Sequence, residues 1–123
     1  MEGDHKRALV AGASVFASPS AQENFGLSLV EAMASGVPAL VTPGVNLAME
    51  IDRAGAGWVA THDATGLADR LRGIMTDATD RVVRGAAARG LAERFRWSAC
   101  VRQLANCYED VLASRVTRVR RRG

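Results

Sequence analysis

The chain has 123 residues, of which 48% are hydrophobic and 24% are charged, and its formal net charge is +3. This length suits one small domain, and the composition is that of an ordinary globular protein. No apolar run approaches the ~20 residues that cross a bilayer, and the charged N-terminal segment lacks the apolar stretch of a signal peptide. We therefore expect a cytoplasmic protein.

The positive charge is concentrated at the C-terminal end. Five arginines fall in the last nine residues, and without them the net charge changes from +3 to −2. They are Arg115, Arg118, Arg120, Arg121 and Arg122. Such a tail is either a solvated, disordered terminus or a segment that makes weak contact with anionic lipids at the inner face of the membrane. We expect no nucleic-acid partner.

The two cysteines do not suggest a disulfide or a metal site. Cys100 and Cys107 lie in one helical-looking segment, about two turns apart, which is too far for a disulfide within a straight helix. The sequence has no CxxC pair and no histidine cluster, so we expect no bound metal.

Apolar runs and turn signals predict short strands that alternate with helices. In chain order they predict a helix over 3–12, strand 13–18, helix 27–35, strand 38–42, helix 45–54, strand 57–61, and helices over about 63–75, 77–95 and 98–114. Pro19 ends the first strand, and Gly36 with Pro38 ends the helix before the second. Asp63 or Thr65 is expected to cap the helix that follows the last strand.

This alternation predicts an α/β fold with a short parallel sheet of about three strands, flanking helices and a helical C-terminal part. We expect residues 1–114 to form one domain and residues 115–123 a disordered basic tail. A sheet this small leaves the edge of its first strand open to a partner chain or to a second copy.

The element from Ser18 to Gly36 has the features of an anion-binding site. In open α/β sheets, ligands bind at the carboxyl ends of the strands. Gly26 lets the backbone approach a ligand closely, and the free N–H groups of Gly26, Leu27 and Ser28 begin a helix. Together with the helix dipole, these groups suit a phosphate or diphosphate.

Two glutamates accompany this element and need a different role, because a carboxylate repels phosphate. Glu31 lies more than one turn into the helix, roughly 7 Å from the phosphate end, where it could accept hydrogen bonds from the vicinal hydroxyls of a ribose. Glu23 could lie near the group on the far phosphate. Alternatively, Glu23 is an ordinary acid near a helix start, and Glu31 belongs to a solvent-exposed stripe.

Residues 18–38 also carry a family resemblance. They read SPSAQENFGLSLVEAMASGVP, with two glutamates separated by seven residues and followed by EAMA-x-G-x-P. This string resembles the donor-site signature of the family-4 retaining glycosyltransferases, or glycosyl transferases group 1, which have a two-domain GT-B fold. The later segments VTPGVN, GAGW and FRWS are similar to the continuation of the same family.

The resemblance implies roles for individual residues. Glu31 matches the glutamate that holds the ribose hydroxyls, and Glu23 matches the glutamate near the transferred sugar, which is the candidate catalytic residue. The other implied donor-site residues are Ser18 and Pro19 at the strand end and Asn24, Phe25, Gly26 and Leu27 in the loop. Family members commonly need no metal, so no cofactor is implied.

The resemblance covers only the C-terminal part of a GT-B enzyme. The acceptor-binding domain and the first half of the donor domain have no counterpart here. Lys6 and Arg7 are the only basic residues before the signature, and we expect them to face solvent. The implied function is the donor-binding portion of a glycosyltransferase that uses GDP-mannose or a UDP-hexose within a larger or split enzyme. The alternative is a non-catalytic remnant that serves as an interaction domain.

Overall fold

The computed structural model describes residues 3–24 and 26–120, and for residues 116–120 it describes the backbone alone. The chain divides into two compact units, Met1–Glu93 and Arg94–Gly123. The first unit contains every described strand. The second consists mainly of one helix.

The predicted elements are all present, with some shifts in their limits. They are α1 Gly3–Ala11, β1 Phe16–Ser18, α2 Leu27–Ala34, β2 Ala39–Val41, α3 Ala48–Ala54, β3 Gly57–Val59, α4 Ala64–Thr76, α5 Ala78–Ala92, a 3₁₀ turn Glu93–Phe95 and α6 Trp97–Arg120. Each strand is shorter than its apolar run predicts, because only three residues of each strand pair with a neighbour.

The three strands form a parallel sheet in the order β1-β2-β3. Phe16 pairs with Ala39 in β2, and Ala39 pairs in turn with Gly57 in β3. All three residues of the central strand β2 are buried, as expected for a parallel sheet covered by helices. Within the described residues no strand pairs with the far side of β1. The predicted α/β class is confirmed.

Helices α2 and α5 cover the sheet and complete the core. The side of α2 that faces inward carries Leu29, Val30, Ala32 and Met33, all of them buried. Helix α5 approaches closely because Gly85 lies against the carbonyl of Gly36, where a Cβ atom would collide with it. Dense packing of this kind fixes α2 on the sheet and thereby fixes the loop that precedes it.

Side-chain caps set the starts of α4 and α5. Asp63 accepts a hydrogen bond from the N–H of Gly66 over 2.7 Å, which decides between the two predicted caps in favour of Asp63. The Thr61 hydroxyl, followed by the Gly66 N–H, holds the pKa of Asp63 below its ordinary value. Asp77 caps α5 in the same way, accepting from the N–H of Asp80 over 2.8 Å.

The second unit is dominated by α6, which continues beyond the end predicted at about residue 114. Residues 115–120 are helical here, whereas the sequence predicted a disordered tail over 115–123; residues 121–123 lie outside the described residues. Arginine is a good helix former, which agrees with the helical backbone of this segment. Cys100 and Cys107 are both free and exposed on this helix. Among the described helices, none has the length and apolar character to span a membrane.

Candidate functional site

The carboxyl end of β1 holds the side chain of Glu23 in a fixed position. The Ser18 hydroxyl donates to Glu23 Oε2 over 2.8 Å, and the Ser20 hydroxyl donates to the same oxygen over 3.2 Å. Within the described residues, Glu23 Oε1 accepts no hydrogen bond. One carboxylate oxygen is therefore anchored to the protein by two hydroxyl groups.

The loop after β2 holds the backbone around Glu23. The Glu23 N–H donates to the carbonyl of Gly44, and the Asn46 N–H donates to the carbonyl of Glu23, both over 3.1 Å. The Asn46 amide group also donates to the Asn24 carbonyl over 2.9 Å. These bonds extend the parallel pairing of β1 and β2 into the loops, as an isolated bridge between Glu23 and Val45.

A buried hydroxyl and a glycine bring these two loops into close contact. Thr42 is 0% exposed, and its hydroxyl donates to the Ser20 carbonyl over 2.6 Å. Gly44 lies against the backbone carbonyl of Ala21, and any Cβ at this position would collide with that carbonyl. Only glycine permits this approach without movement of the loop.

The N-terminus of α2 lies beside the Glu23 carboxylate. Gly26 is the buried N-cap, and a Cβ there would lie 3.2 Å from Glu23 Oε1. In the described part of the chain, no side chain accepts a hydrogen bond from the N–H of Leu27 or Ser28. These donors and the positive end of the helix dipole are thus open to an anion.

Glu31 lies farther along α2 and belongs to a neighbouring cavity. Its Oε2 accepts a hydrogen bond from Lys6 Nζ over 2.8 Å, and the two side chains are 46% and 44% exposed. The cavity has a volume of about 370 Å³ and lies between α1 and α2. Its lining residues are Gly3, Lys6, Arg7, Val10, Glu31, Ala34 and Ser35.

The structure therefore brings together some of the predicted site residues and separates others. Ser18, Glu23, Gly26 and Leu27 meet at the end of β1 and the start of α2. Glu31 lies on the exposed side of α2, where its carboxylate binds the ammonium group of Lys6, and both side chains remain nearly half exposed. Two further predicted residues, Pro19 and Asn24, are exposed in the loop, and Phe25 lies outside the described residues.

Sequence reasoning did not assign the residues that position this site. They are Ser20, Thr42, Gly44, Asn46 and Lys6. The turn residues Pro43 and Gly44 after β2 were the available signal, because parallel neighbours end at the same edge of a sheet. Among the described residues, no group of three or more His, Cys, Asp or Glu side chains could hold a metal ion.

Comparison with known proteins identifies relatives of this chain. The model of the family "Glycosyl transferases group 1" matches residues 1–91. The D-inositol 3-phosphate glycosyltransferase of Corynebacterium kroppenstedtii is 37% identical over 101 residues, which cover 81% of this chain and 22% of that protein. The protein of the same name from Salinispora tropica is 34% identical over 119 residues, covering 95% of this chain and 24% of that protein.

Solved structures show the same fold. A sucrose-phosphate synthase from Thermosynechococcus elongatus superposes with a TM-score of 0.79 at 26% identity, covering 93% of this chain and 29% of that one. WaaG, a glycosyltransferase involved in lipopolysaccharide biosynthesis, superposes with a TM-score of 0.66 at 30% identity, covering 75% of this chain and 25% of that one. The chain thus spans about a quarter of the length of the curated relatives it matches. These structures confirm the predicted Rossmann-like part of a GT-B domain.

Proposed function

Because the chain belongs to the glycosyl transferases group 1 family, we propose that it binds a nucleoside diphosphate sugar as the donor portion of a retaining glycosyltransferase. The single observation that carries this proposal is the arrangement of Glu23. Its carboxylate is anchored by Ser18 and Ser20 directly beside the uncapped N-terminus of α2. Transfer of the sugar to an acceptor is proposed for the enzyme of which this portion forms about a quarter.

In this proposal the N-terminus of α2 binds the diphosphate. The N–H groups of Leu27 and Ser28 donate to phosphate oxygens, and the helix dipole favours the negative charge. When the glycosidic bond to the phosphate breaks, more charge develops on the leaving diphosphate. Fixed amides stabilise that charge without any reorganisation during the reaction, so no metal is proposed for this step.

Glu23 lies on the sugar side of the diphosphate in this arrangement. Its Oε1, which accepts no hydrogen bond from the described residues, faces the start of α2, 3.2 Å from where a Cβ on Gly26 would lie. From there it can accept a hydrogen bond from a sugar hydroxyl. The two serine hydroxyls hold the carboxylate in place, and a prepositioned acceptor lowers the cost of ordering the site when the donor binds.

Glu31 is proposed to bind the ribose. It lies five positions beyond Gly26, about 7 Å along the helix axis, which separates it from the phosphate site by a distance suited to a nucleotide. An exposed carboxylate can accept two hydrogen bonds from the vicinal hydroxyls. We propose GDP-hexose or UDP-hexose as the donor.

Calorimetric titration of the chain with GDP, UDP and ADP tests the proposal. We expect one of them to bind, and we expect Glu31→Ala to weaken that binding about ten-fold or more, since hydrogen bonds to a charged group contribute ~1.5–3 kcal/mol. Glu109→Ala, which removes an exposed carboxylate from α6, is the matched control and should bind as the unmodified chain does.

Circular dichroism establishes that each variant is folded. If the folded chain binds none of the three nucleotides at millimolar concentration, the proposed donor binding is wrong. Light scattering at high protein concentration would then test the alternative of an interaction domain that associates through the open edge of β1.

A further inference from the structure

We propose that Lys6 is an autoinhibitory residue that occupies the ribose-binding carboxylate of Glu31 until a nucleotide displaces it. This inference rests on the proposed function. Its basis is the hydrogen bond of 2.8 Å between Lys6 Nζ and Glu31 Oε2, formed across a cavity that is wide enough to admit a ligand.

The ammonium group and a ribose would compete for the same acceptor. Vicinal hydroxyls bind a carboxylate through both of its oxygens, and Lys6 already occupies Oε2. In the described part of the chain Oε1 of Glu31 has no hydrogen bond. A ribose can therefore use one oxygen at once but must displace Lys6 to use the second.

The pair is weak enough to be displaced. Its side chains are 44% and 46% exposed, and ion pairs of this exposure contribute little in water. Helix α1 has no buried residue, and Leu9 is 70% exposed, so movement of Lys6 disrupts no packing of that helix. The cavity of about 370 Å³ provides room beside the pair and falls within the usual range of ligand sites, roughly 300–1,000 Å³.

The adjacent Arg7 provides a matched control. It lines the same cavity from the same helix and carries the same charge, yet it makes no hydrogen bond to Glu31 among the described residues. If Lys6 acted only by attracting the phosphates of the nucleotide, its removal would weaken binding, as would removal of Arg7. If Lys6 competes with the ribose for Glu31, removing Lys6 strengthens nucleotide binding instead. Removing Arg7, which does not bind Glu31 within the described residues, has no such effect.

Lys6→Met and Arg7→Met should be titrated with GDP and UDP and with the 2′,3′-dideoxy forms of both nucleotides, which lack the ribose hydroxyls. We expect Lys6→Met to strengthen binding of the ribonucleotide by up to about five-fold, the effect of removing an exposed ion pair. Binding of the dideoxy forms should not change, and Arg7→Met should not strengthen binding of any ligand.

The outcomes separate this inference from the proposed function. If neither the unmodified chain nor Lys6→Met binds a ribonucleotide, both are overturned. If the unmodified chain binds but Lys6→Met binds equally or more weakly, the autoinhibitory role alone is overturned. An equal gain for the dideoxy forms would also overturn it, because the effect would then not involve the ribose hydroxyls. Ribonucleotide binding that appears only in Lys6→Met would support the autoinhibitory role and overturn donor binding by the unmodified chain.

Discussion

The Ser18 hydroxyl donates to Glu23 Oε2 over 2.8 Å, so the last residue of β1 fixes the orientation of the carboxylate that follows it by five residues. Ser20 adds a second hydroxyl to the same oxygen. A loop acid without such partners would have several rotamers of similar energy. Here Oε1 of Glu23 faces the start of α2. Its Oε2 accepts the two serine hydrogen bonds that hold the loop.

Replacing both hydroxyls should therefore weaken recognition of the sugar. We expect the double variant Ser18→Ala and Ser20→Ala to bind the nucleotide-sugar about three- to ten-fold more weakly, because each net hydrogen bond contributes ~1 kcal/mol and part of it is recovered from water. Affinity for the free nucleotide should change little, because the α2 amides and Glu31 remain. Calorimetry with both ligands measures the difference.

Ser114→Ala is the control for this pair, since its hydroxyl donates to the Asp110 carbonyl within α6. It should leave both affinities unchanged. Equal loss for nucleotide and nucleotide-sugar in the double variant would contradict a role on the sugar side.

Gly44→Ala should destabilise the first unit. A Cβ at Gly44 collides with the backbone carbonyl of Ala21, and a backbone atom cannot move aside as a flexible side chain does. We expect a loss of about 1–3 kcal/mol in the free energy of unfolding, measured by urea denaturation. Affinity for the nucleotide-sugar should fall as well, because the same loop holds Glu23 through the Gly44 carbonyl.

Gly73→Ala is the matched comparison. Gly73 lies inside α4, and a Cβ there meets no atom within 4 Å. Alanine has a higher helix propensity than glycine, so this variant should be more stable by up to about 1 kcal/mol. A Gly44→Ala variant as stable as the unmodified chain would show that the two loops are not held together as described.

The cap at Asp63 gives α4 a stability that depends on pH. The Thr61 hydroxyl and the Gly66 N–H lower the pKa of Asp63 in the folded protein, because both donate to its charged form. The cap therefore stabilises the fold above the unfolded pKa of about 3.9, and this contribution is lost as the pH falls through the lower folded value. Asparagine caps a helix equally well but does not titrate.

Thermal melts of the chain and of Asp63→Asn between pH 6 and pH 2.5 measure this effect. We expect the unmodified chain to lose stability relative to Asp63→Asn from about pH 4 downward. Asp52→Asn changes an exposed carboxylate that has no hydrogen bond within the described residues, so its melting curve should remain parallel to that of the unmodified chain. A constant difference for Asp63→Asn at all pH values would contradict the titrating cap.

The sequence predicted those features of the site that depend on local chemistry. The helix α2 and its glycine start at Gly26 follow from spacing and side-chain type within a few residues. For α4 the same signals predicted a cap at Asp63 or Thr65, and the structure shows Asp63. The local helix preference of these segments agrees with the helical structure that they adopt in the fold. Such agreement is typical of sequences that specify a single fold.

The contacts that position the site were not predictable in the same way. The bond from Thr42 to Ser20 spans 22 positions, and its partners meet only because β1 and β2 pair in a specific register. The Lys6–Glu31 pair spans 25 positions and depends on how α1 lies against α2. Composition and periodicity indicate which side of a helix is apolar. They do not indicate which residues far apart in the sequence will form a hydrogen bond or an ion pair.

Arg84 should stabilise the first unit through contacts that only arginine can make together. Its Nη1 donates to the Gly57 carbonyl over 2.7 Å, its Nε donates to Asp80 over 2.9 Å, and its guanidinium carbon lies 5.0 Å from the ring centroid of Trp58. The lysine ammonium group is a point charge without the planar fork, so Arg84→Lys cannot keep all three contacts. We expect Arg84→Met, which loses all three contacts, to lower the free energy of unfolding by about 1–3 kcal/mol. Arg84→Lys, which cannot keep all three contacts, should lower it by a smaller amount.

Urea denaturation measures this loss. The slope of the free energy of unfolding against urea concentration should stay unchanged if the fold is intact. Arg72→Met is the matched control, because Arg72 pairs with Asp69 while their side chains are 76% and 65% exposed. An exposed pair of this kind contributes at most about 0.5 kcal/mol. If Arg84→Lys were as stable as the unmodified chain, one charged donor would suffice at this position, and the planar guanidinium group would contribute nothing measurable.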